Sequence, residues 1–218
     1  MKVCGIDEAG RGAVIGPMVV AGILIDQNKV DELIKIKVKD SKKLSPGVRT
    51  ELSKLIRELA DSVKLVVLEA STIDSSTRKR GACGLNDLEA KIFAEIIDEL
   101  KPDAAYIDLP STKYDEFRSL IEERTSHRCL LILEHKADEK YPIVSAASII
   151  AKCERDKLIE ELKAKVGDFG SGYPSDEKTR KFLLKLIKNG KIGGRYVRSS
   201  WKTIAKVAQR KLDEFSEE

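Results

Sequence analysis

Three short apolar runs in this chain each hand over to a carboxylate. Residues 3–7 close on Asp7-Glu8, residues 104–107 run into Asp108, and residues 129–133 are followed by His135-Lys136-Ala137-Asp138. Runs of four or five mostly apolar residues bounded by turn signals read as buried strands. In an α/β sheet the carboxyl ends of the strands form the ligand crevice. If the first, fourth and fifth strands are neighbours, Asp7, Glu8, Asp108 and Asp138 converge there. Like charges repel, and near a core they are costly unless a proton or a cation neutralises them. Such a fold therefore asks for a positive partner at one end of its sheet.

The rest of the pattern fits that sheet. Residues 18–25 and 63–70 read as two more strands. The helix period appears over 46–60, 85–100 and 113–124, and again over 143–166, just after Pro142. That last helix opens on the small residues S-A-A-S-I-I-A, which let a helix lie close on a sheet. Residues 167–174 form a glycine-rich loop. Ser175 reads as the N-cap of the next helix and Gly190 as its stop, and a final helix is expected over 200–215. Hairpin-like strands come first and βαβ crossovers second. The expectation is an α/β fold with a mixed five-stranded sheet flanked by helices. Its core would span 1–166, with a C-terminal loop and helical extension over 167–218 packed into one compact unit.

Composition narrows the partners. A chain of 218 residues is long enough for one sizeable core. Lys and Arg number 40 against 36 Asp and Glu, so nucleic-acid affinity must come from a local basic patch, not from a polybasic tail. The apolar stretch 13–25 is too short to span a membrane. It also follows two acids where a signal peptide wants positive charge. A soluble, cytoplasmic protein is expected. Cys4, Cys83, Cys129 and Cys153 show no C-x-x-C spacing and read as reduced thiols. His127 and His135 read as surface or packing residues.

Four carboxylates without His or Cys make a hard oxygen site, suited to Mg²⁺ or Mn²⁺. Two such ions about 4 Å apart would clamp the attacking and leaving oxygens of a phosphodiester. Glu8 carries a condition. Neighbours on a strand point to opposite faces, so it joins Asp7 only if the strand ends or kinks there.

Gly5-Ile6-Asp7-Glu8-Ala9-Gly10-Arg11-Gly12, Gly16-Pro17, Asp40-Ser41-Lys42-Lys43-Leu44 and Ser145-Ala146-Ala147-Ser148-Ile149-Ile150-Ala151-Lys152 together resemble ribonuclease HII of the archaeal type. The resemblance runs from Met1 to at least Tyr173 and implies an RNase H-like fold. It implies a metal-dependent endonuclease that cuts the RNA strand of RNA–DNA hybrids. It also implies cleavage 5′ of a single ribonucleotide in duplex DNA, leaving 3′-OH and 5′-phosphate ends, in ribonucleotide excision repair and DNA replication. A two-metal site is implied on Asp7, Glu8, Asp108 and Asp138; the sequence does not say which acid bridges the ions, and Asp7 is the expected one. The family's Gly-Arg-Gly motif falls on Gly10, Arg11 and Gly12, whose backbone would read the 2′-OH that alone tells RNA from DNA. Its tyrosine falls on Tyr173, which would stack on the following deoxyribose.

Ser41, Lys42 and Lys43 suit phosphate contact. Lys152 and Arg155 reach either phosphate or the neighbouring acids Glu154 and Asp156. The cluster Lys191, Arg195, Arg198 and Lys202, with Tyr196 and Trp201 among it, reads as a duplex-binding surface, with a charged face docking the last helix as its rival. A monomer is expected. The ending F-S-E-E carries no recognisable sliding-clamp motif, which leaves a clamp partner open. Three other readings compete. A sugar- or acetate-kinase phosphotransferase would need a second phosphate loop and a second large domain. A transposase-type nuclease leaves Gly-Arg-Gly and Tyr173 unexplained. A non-catalytic hybrid-binding module would have bare carboxylates facing a phosphate backbone.

Overall fold

The computed structural model describes residues 1–38, 44–78, 84–192 and 195–205. Ser41, Lys42, Lys43, Cys83 and most of the expected last helix lie outside the described residues. Five strands form one sheet: β1 (Lys2–Ala9), β2 (Met18–Asp26), β3 (Ser62–Leu68), β4 (Ala104–Asp108) and β5 (Leu130–Glu134). The order across it is β3-β2-β1-β4-β5. β1 pairs antiparallel with β2 and parallel with β4, and β4 pairs parallel with β5. The sheet is thus mixed, and the three acid-bearing strands are adjacent.

The helices are α1 (Val30–Lys35), α2 (Pro46–Leu59), α3 (Ala70–Arg78), α4 (Gly84–Leu100), α5 (Tyr114–Glu122), α6 (Ala137–Lys140), α7 (Pro142–Val166) and α8 (Glu177–Lys188). The short α1, α3 and α6 went unread in the sequence, because fewer than three turns carry too little period to register. The cap of α8 is Asp176, not Ser175. Its carboxylate accepts from the amides of Lys178 at 2.9 Å and Ser171 at 2.6 Å, and these bonds hold its pKa down at about 2. Among the described residues no helix is long and apolar enough to cross a membrane.

Contacts divide the chain into two compact units, each discontinuous in sequence. One comprises Met1–Ala9, Val19–Val67 and Cys83–Asp156, and the other Gly10–Met18, Leu68–Ala82 and Lys157–Glu218. The division does not follow a single cut after residue 166. In the second unit the amides of Val14 and Ile15 donate to the Gly172 carbonyl, at 2.8 and 3.1 Å, and Ile15 bridges Val197. Backbone pairing thus draws the early loop to C-terminal residues. That unit has its own apolar core, which includes Val14, Ile15, Phe169, Leu183 and Val197.

In the first unit two glycines let helices lie against the sheet. A methyl group at Gly5 would fall 2.3 Å from the Ile143 carbonyl oxygen at the start of α7. One at Gly22 would fall 2.3 Å from the Ile96 side chain of α4. Gly22 stands opposite Ile6, so Ile6 marks the α4 face of β1 and Gly5 the α7 face. Ser145, Ala146, Ala147 and Ser148 are all fully buried, as the small-residue start of this helix requires.

Candidate active site

The pleat of β1 decides where its acids go. Asp7 shares the α7 face with Gly5. Glu8 falls with Ile6 on the α4 face, because β1 stays paired with β2 through Ala9. The kink that would turn Glu8 alongside Asp7 is absent from the pairing. Only the three-carbon reach of a glutamate at the rim is left to bring its carboxylate round.

On the α7 face, the parallel register pairs Gly5 with Tyr106 and Ile6 with Ile107. One step on, Asp7 and Asp108 stand side by side. Asp7 is only 4% exposed. Burial, and then the charge of Asp108, push its carboxyl up to about 7, while the Ser148 hydroxyl, the Glu8 amide and Lys152 pull the other way. The Glu8 amide donates to Asp7 Oδ1 at 2.7 Å. Lys152 Nζ donates to Ser148 Oγ at 2.8 Å, so a short relay on α7 ends at the Asp7 carboxylate.

Asp108 Oδ1 accepts from the Ala137 amide at 2.7 Å. That bond ties the rim of β4 to the first turn of α6, which carries the buried Asp138. Asp7, Asp108 and Asp138 therefore gather from three elements. Among the described residues, however, no three His, Cys, Asp or Glu side chains are grouped closely enough to ring an ion. Asp7 and Asp108 each already accept from backbone amides, and like charges hold themselves apart. The donor chemistry fits a hard divalent cation. So do the electrostatics, since a cation would relieve the charge that burial and Asp108 make costly at Asp7.

The remaining expected residues divide clearly. Gly12 lies beside Tyr173 in the second unit, where a methyl at Gly12 would stand 3.9 Å from the tyrosine ring. Gly10 has a positive φ of 89°, which a side chain would strain. Arg195 and Lys202 are exposed, as a duplex-facing role requires. Arg198 is not part of that surface. It is fully buried and donates to backbone carbonyls. Asp156 pairs with Arg49, and Arg155 is buried. His127 and His135 each meet a backbone carbonyl, of Pro102 and Leu109 respectively, as packing residues do. Cys4, Cys129 and Cys153 are free thiols.

The ribonuclease HII family model matches residues 4–204. The chain belongs to the ribonuclease HII family. It is an RNase H-type endonuclease, a phosphodiester hydrolase of a metal-dependent class. Ribonuclease HII of Pyrococcus furiosus is 44% identical over 211 residues, which cover 96% of this chain and 92% of that protein. The crystal structure of the ribonuclease H2 from Pyrococcus horikoshii superposes with a TM-score of 0.86 at 42% identity, covering 96% of this chain and 98% of the other. Ribonuclease HII in the PCNA:RNase HII complex from Archaeoglobus fulgidus gives 0.83 at 45% identity, covering 92% and 95%.

Sequence reasoning missed three features of this ribonuclease HII. The Ser148–Lys152 relay had a signal, an i,i+4 pair on the small-residue face of α7. Glu134 stands in register with Asp108 but accepts from Lys140 and Tyr141. Arg198 gave no local signal at all, since its partners lie over 180 residues away.

Proposed function

We propose that this ribonuclease cuts the RNA strand of RNA–DNA hybrids, and also cuts 5′ of a single ribonucleotide embedded in duplex DNA, leaving 3′-OH and 5′-phosphate ends. Asp7, Asp108 and Asp138, with Glu8 swung round from the rim, would hold Mg²⁺ or Mn²⁺. The observation that carries this reading is the buried Asp7 beside Asp108 at adjacent parallel strand ends. Ions held there would supply an activated water and offset the charge on the departing oxygen. Ser148, with Lys152 behind it, fixes the Asp7 carboxylate so that it need not reorganise when the ions arrive. Gly10-Arg11-Gly12 reads the 2′-hydroxyl through backbone groups, which tolerates any base. Tyr173, next to Gly12, stacks on the neighbouring sugar, and exposed Arg195 and Lys202 meet phosphates, joined by Ser41, Lys42 and Lys43. Ribonucleotide excision repair in the cytoplasm is the setting this chemistry serves. The relative in complex with PCNA brings a sliding clamp into the same proposal as a partner.

The test is cleavage of a labelled DNA duplex carrying one ribonucleotide, in Mg²⁺, Mn²⁺ or EDTA, beside a long RNA–DNA hybrid. A single metal-dependent cut 5′ of the ribonucleotide is expected. Cleavage of the long hybrid alone would keep the acid site and overturn junction reading by the glycine loop and Tyr173.

A further inference from the structure

We infer that Arg198 is a positioning residue for ribose recognition: it grips the carbonyl side of Gly10-Arg11-Gly12 and so aims the amides of Arg11 and Gly12 outward. The inference rests on the proposed reading of the 2′-hydroxyl by that loop.

The geometry is entirely within the second unit. Arg198 is the largest of its fully buried side chains. One guanidinium nitrogen donates to the Arg11 carbonyl at 2.7 Å. The other terminal nitrogen, Nη2, donates to the Gly10 carbonyl at 2.8 Å and to the Gly16 carbonyl at 3.2 Å. A buried guanidinium spent on three backbone carbonyls of one loop is an expensive way merely to fill space. Among the described residues no peptide is cis, and in a trans peptide the C=O and the following N–H point to opposite sides. Holding the Gly10 and Arg11 carbonyls therefore turns the Arg11 and Gly12 N–H groups away from the guanidinium. Two successive donors aimed one way suit an electron-rich oxygen such as a ribose hydroxyl.

The brace is itself anchored. The Arg198 amide donates to the Val14 carbonyl at 2.9 Å, and the guanidinium lies 5.3 Å from the centre of the Trp201 ring. The next two residues are clamped by Asp74 of α3. Its carboxylate accepts the amides of Ser199 and Ser200, both at 3.0 Å, and their hydroxyls at 2.8 and 2.6 Å. Asp74 thereby fixes where Arg198 enters the loop.

Arg198→Lys tests this directly. Lysine keeps the charge but is a point donor without the planar fork that spans several carbonyls. The readout is KM for a duplex carrying one ribonucleotide, against Ki for the same duplex in all-DNA form as competitor. A folded Arg198→Lys protein is expected to raise KM about tenfold with Ki unchanged, and to exchange the hydrogen-bonded amides of the same loop, those of Ala13 and Gly16, faster than wild type. Unchanged KM and unchanged amide exchange would overturn the inference. Equal weakening of KM and Ki would overturn it too, by showing a general structural role. Should lysine not fold, Asp74→Asn loosens the same brace from behind and must reduce the Ki-to-KM ratio in the same direction; a ratio like wild type's overturns the inference. Wild type with no preference for the ribonucleotide duplex would overturn the reading beneath it, and is seen before any variant is made.

Discussion

The rim that carries the acids and the loop that carries the glycines are built on opposite principles. At the rim, Asp7 is buried next to Asp108, and its charged form is disfavoured until something positive arrives. In the loop, the carbonyls of Gly10, Arg11, Val14 and Gly16 all accept hydrogen bonds from Arg198. One region is left electrostatically unfinished, and the other is finished by its own chain. The difference suits the two tasks. A metal site gains affinity from charge that the fold alone does not neutralise. A site that tells one hydroxyl from a hydrogen needs donors fixed in advance, because a mobile loop would adapt to either sugar.

The largest effect should come from completing the rim artificially. Asp7→Asn removes the buried charge and gives Asp108 an amide neighbour. Cleavage should fall on the order of 10³-fold or more, measured on the single-ribonucleotide duplex. Stability should move the other way. In EDTA at pH 8 the variant should be more stable than wild type by roughly 1–3 kcal/mol in urea unfolding. A variant both inactive and less stable would show that the rim is not under electrostatic load.

The pH dependence sharpens the same point. The Asp7 carboxyl titrates near 7 in the fold, against an ordinary value of 3.8. With its pKa raised on folding, its contribution to stability without metal is fully present below about pH 4 and is lost as pH rises through 7. Metal needs the ionised form, so Mg²⁺ affinity should weaken about tenfold per pH unit below 7. Calorimetric titration at pH 6, 7 and 8 checks this. Asp7→Asn should flatten the stability profile between pH 4 and 7.

Two glycines test the two regions at equal chemical cost, one methyl each. Gly5→Ala drives its methyl into the Ile143 backbone, which cannot yield without moving the start of α7. A loss of roughly 1–3 kcal/mol is expected, with activity falling as Ser148 shifts. Gly12→Ala meets only ordinary contact with the Tyr173 ring. Its melting temperature should match wild type's while KM for the ribonucleotide duplex rises several-fold. If Gly12→Ala unfolds the protein instead, the loop glycine serves the turn and not the sugar.

What the sequence revealed was what is local. Strand cores, the small-residue start of α7, the acids at the ends of β1 and β4 and the one after β5 all follow from short-range pattern. The extent of β1 did not. Its pairing through Ala9 depends on Val19 and Val20 of β2, and those two extra residues are what put Glu8 on the α4 face. Arg198 was legible only as one of several late basic residues, because nothing nearby distinguishes a buried guanidinium from an exposed one. The lateral match of Asp7 with Asp108 joins strands about a hundred residues apart, and no periodicity encodes that register.

Glu134 gives the smallest and most discriminating effect. It follows Leu133 on β5 and stands in direct register with Asp108, so position alone would make it the third strand's acid. Chemistry argues otherwise. Its carboxylate already accepts from Lys140 at 2.7 Å and from the Tyr141 hydroxyl, and these bonds lower its pKa. An acid neutralised by its own neighbours has little charge to offer a cation. Asp138, four residues on, is buried in the first turn of α6, whose Ala137 amide Asp108 holds. Glu134→Gln should therefore leave cleavage within about twofold of wild type, whereas Asp138→Asn should lower it on the order of a hundredfold or more. The reverse ranking would mean that register, not the first turn of α6, selects the third acid of the site.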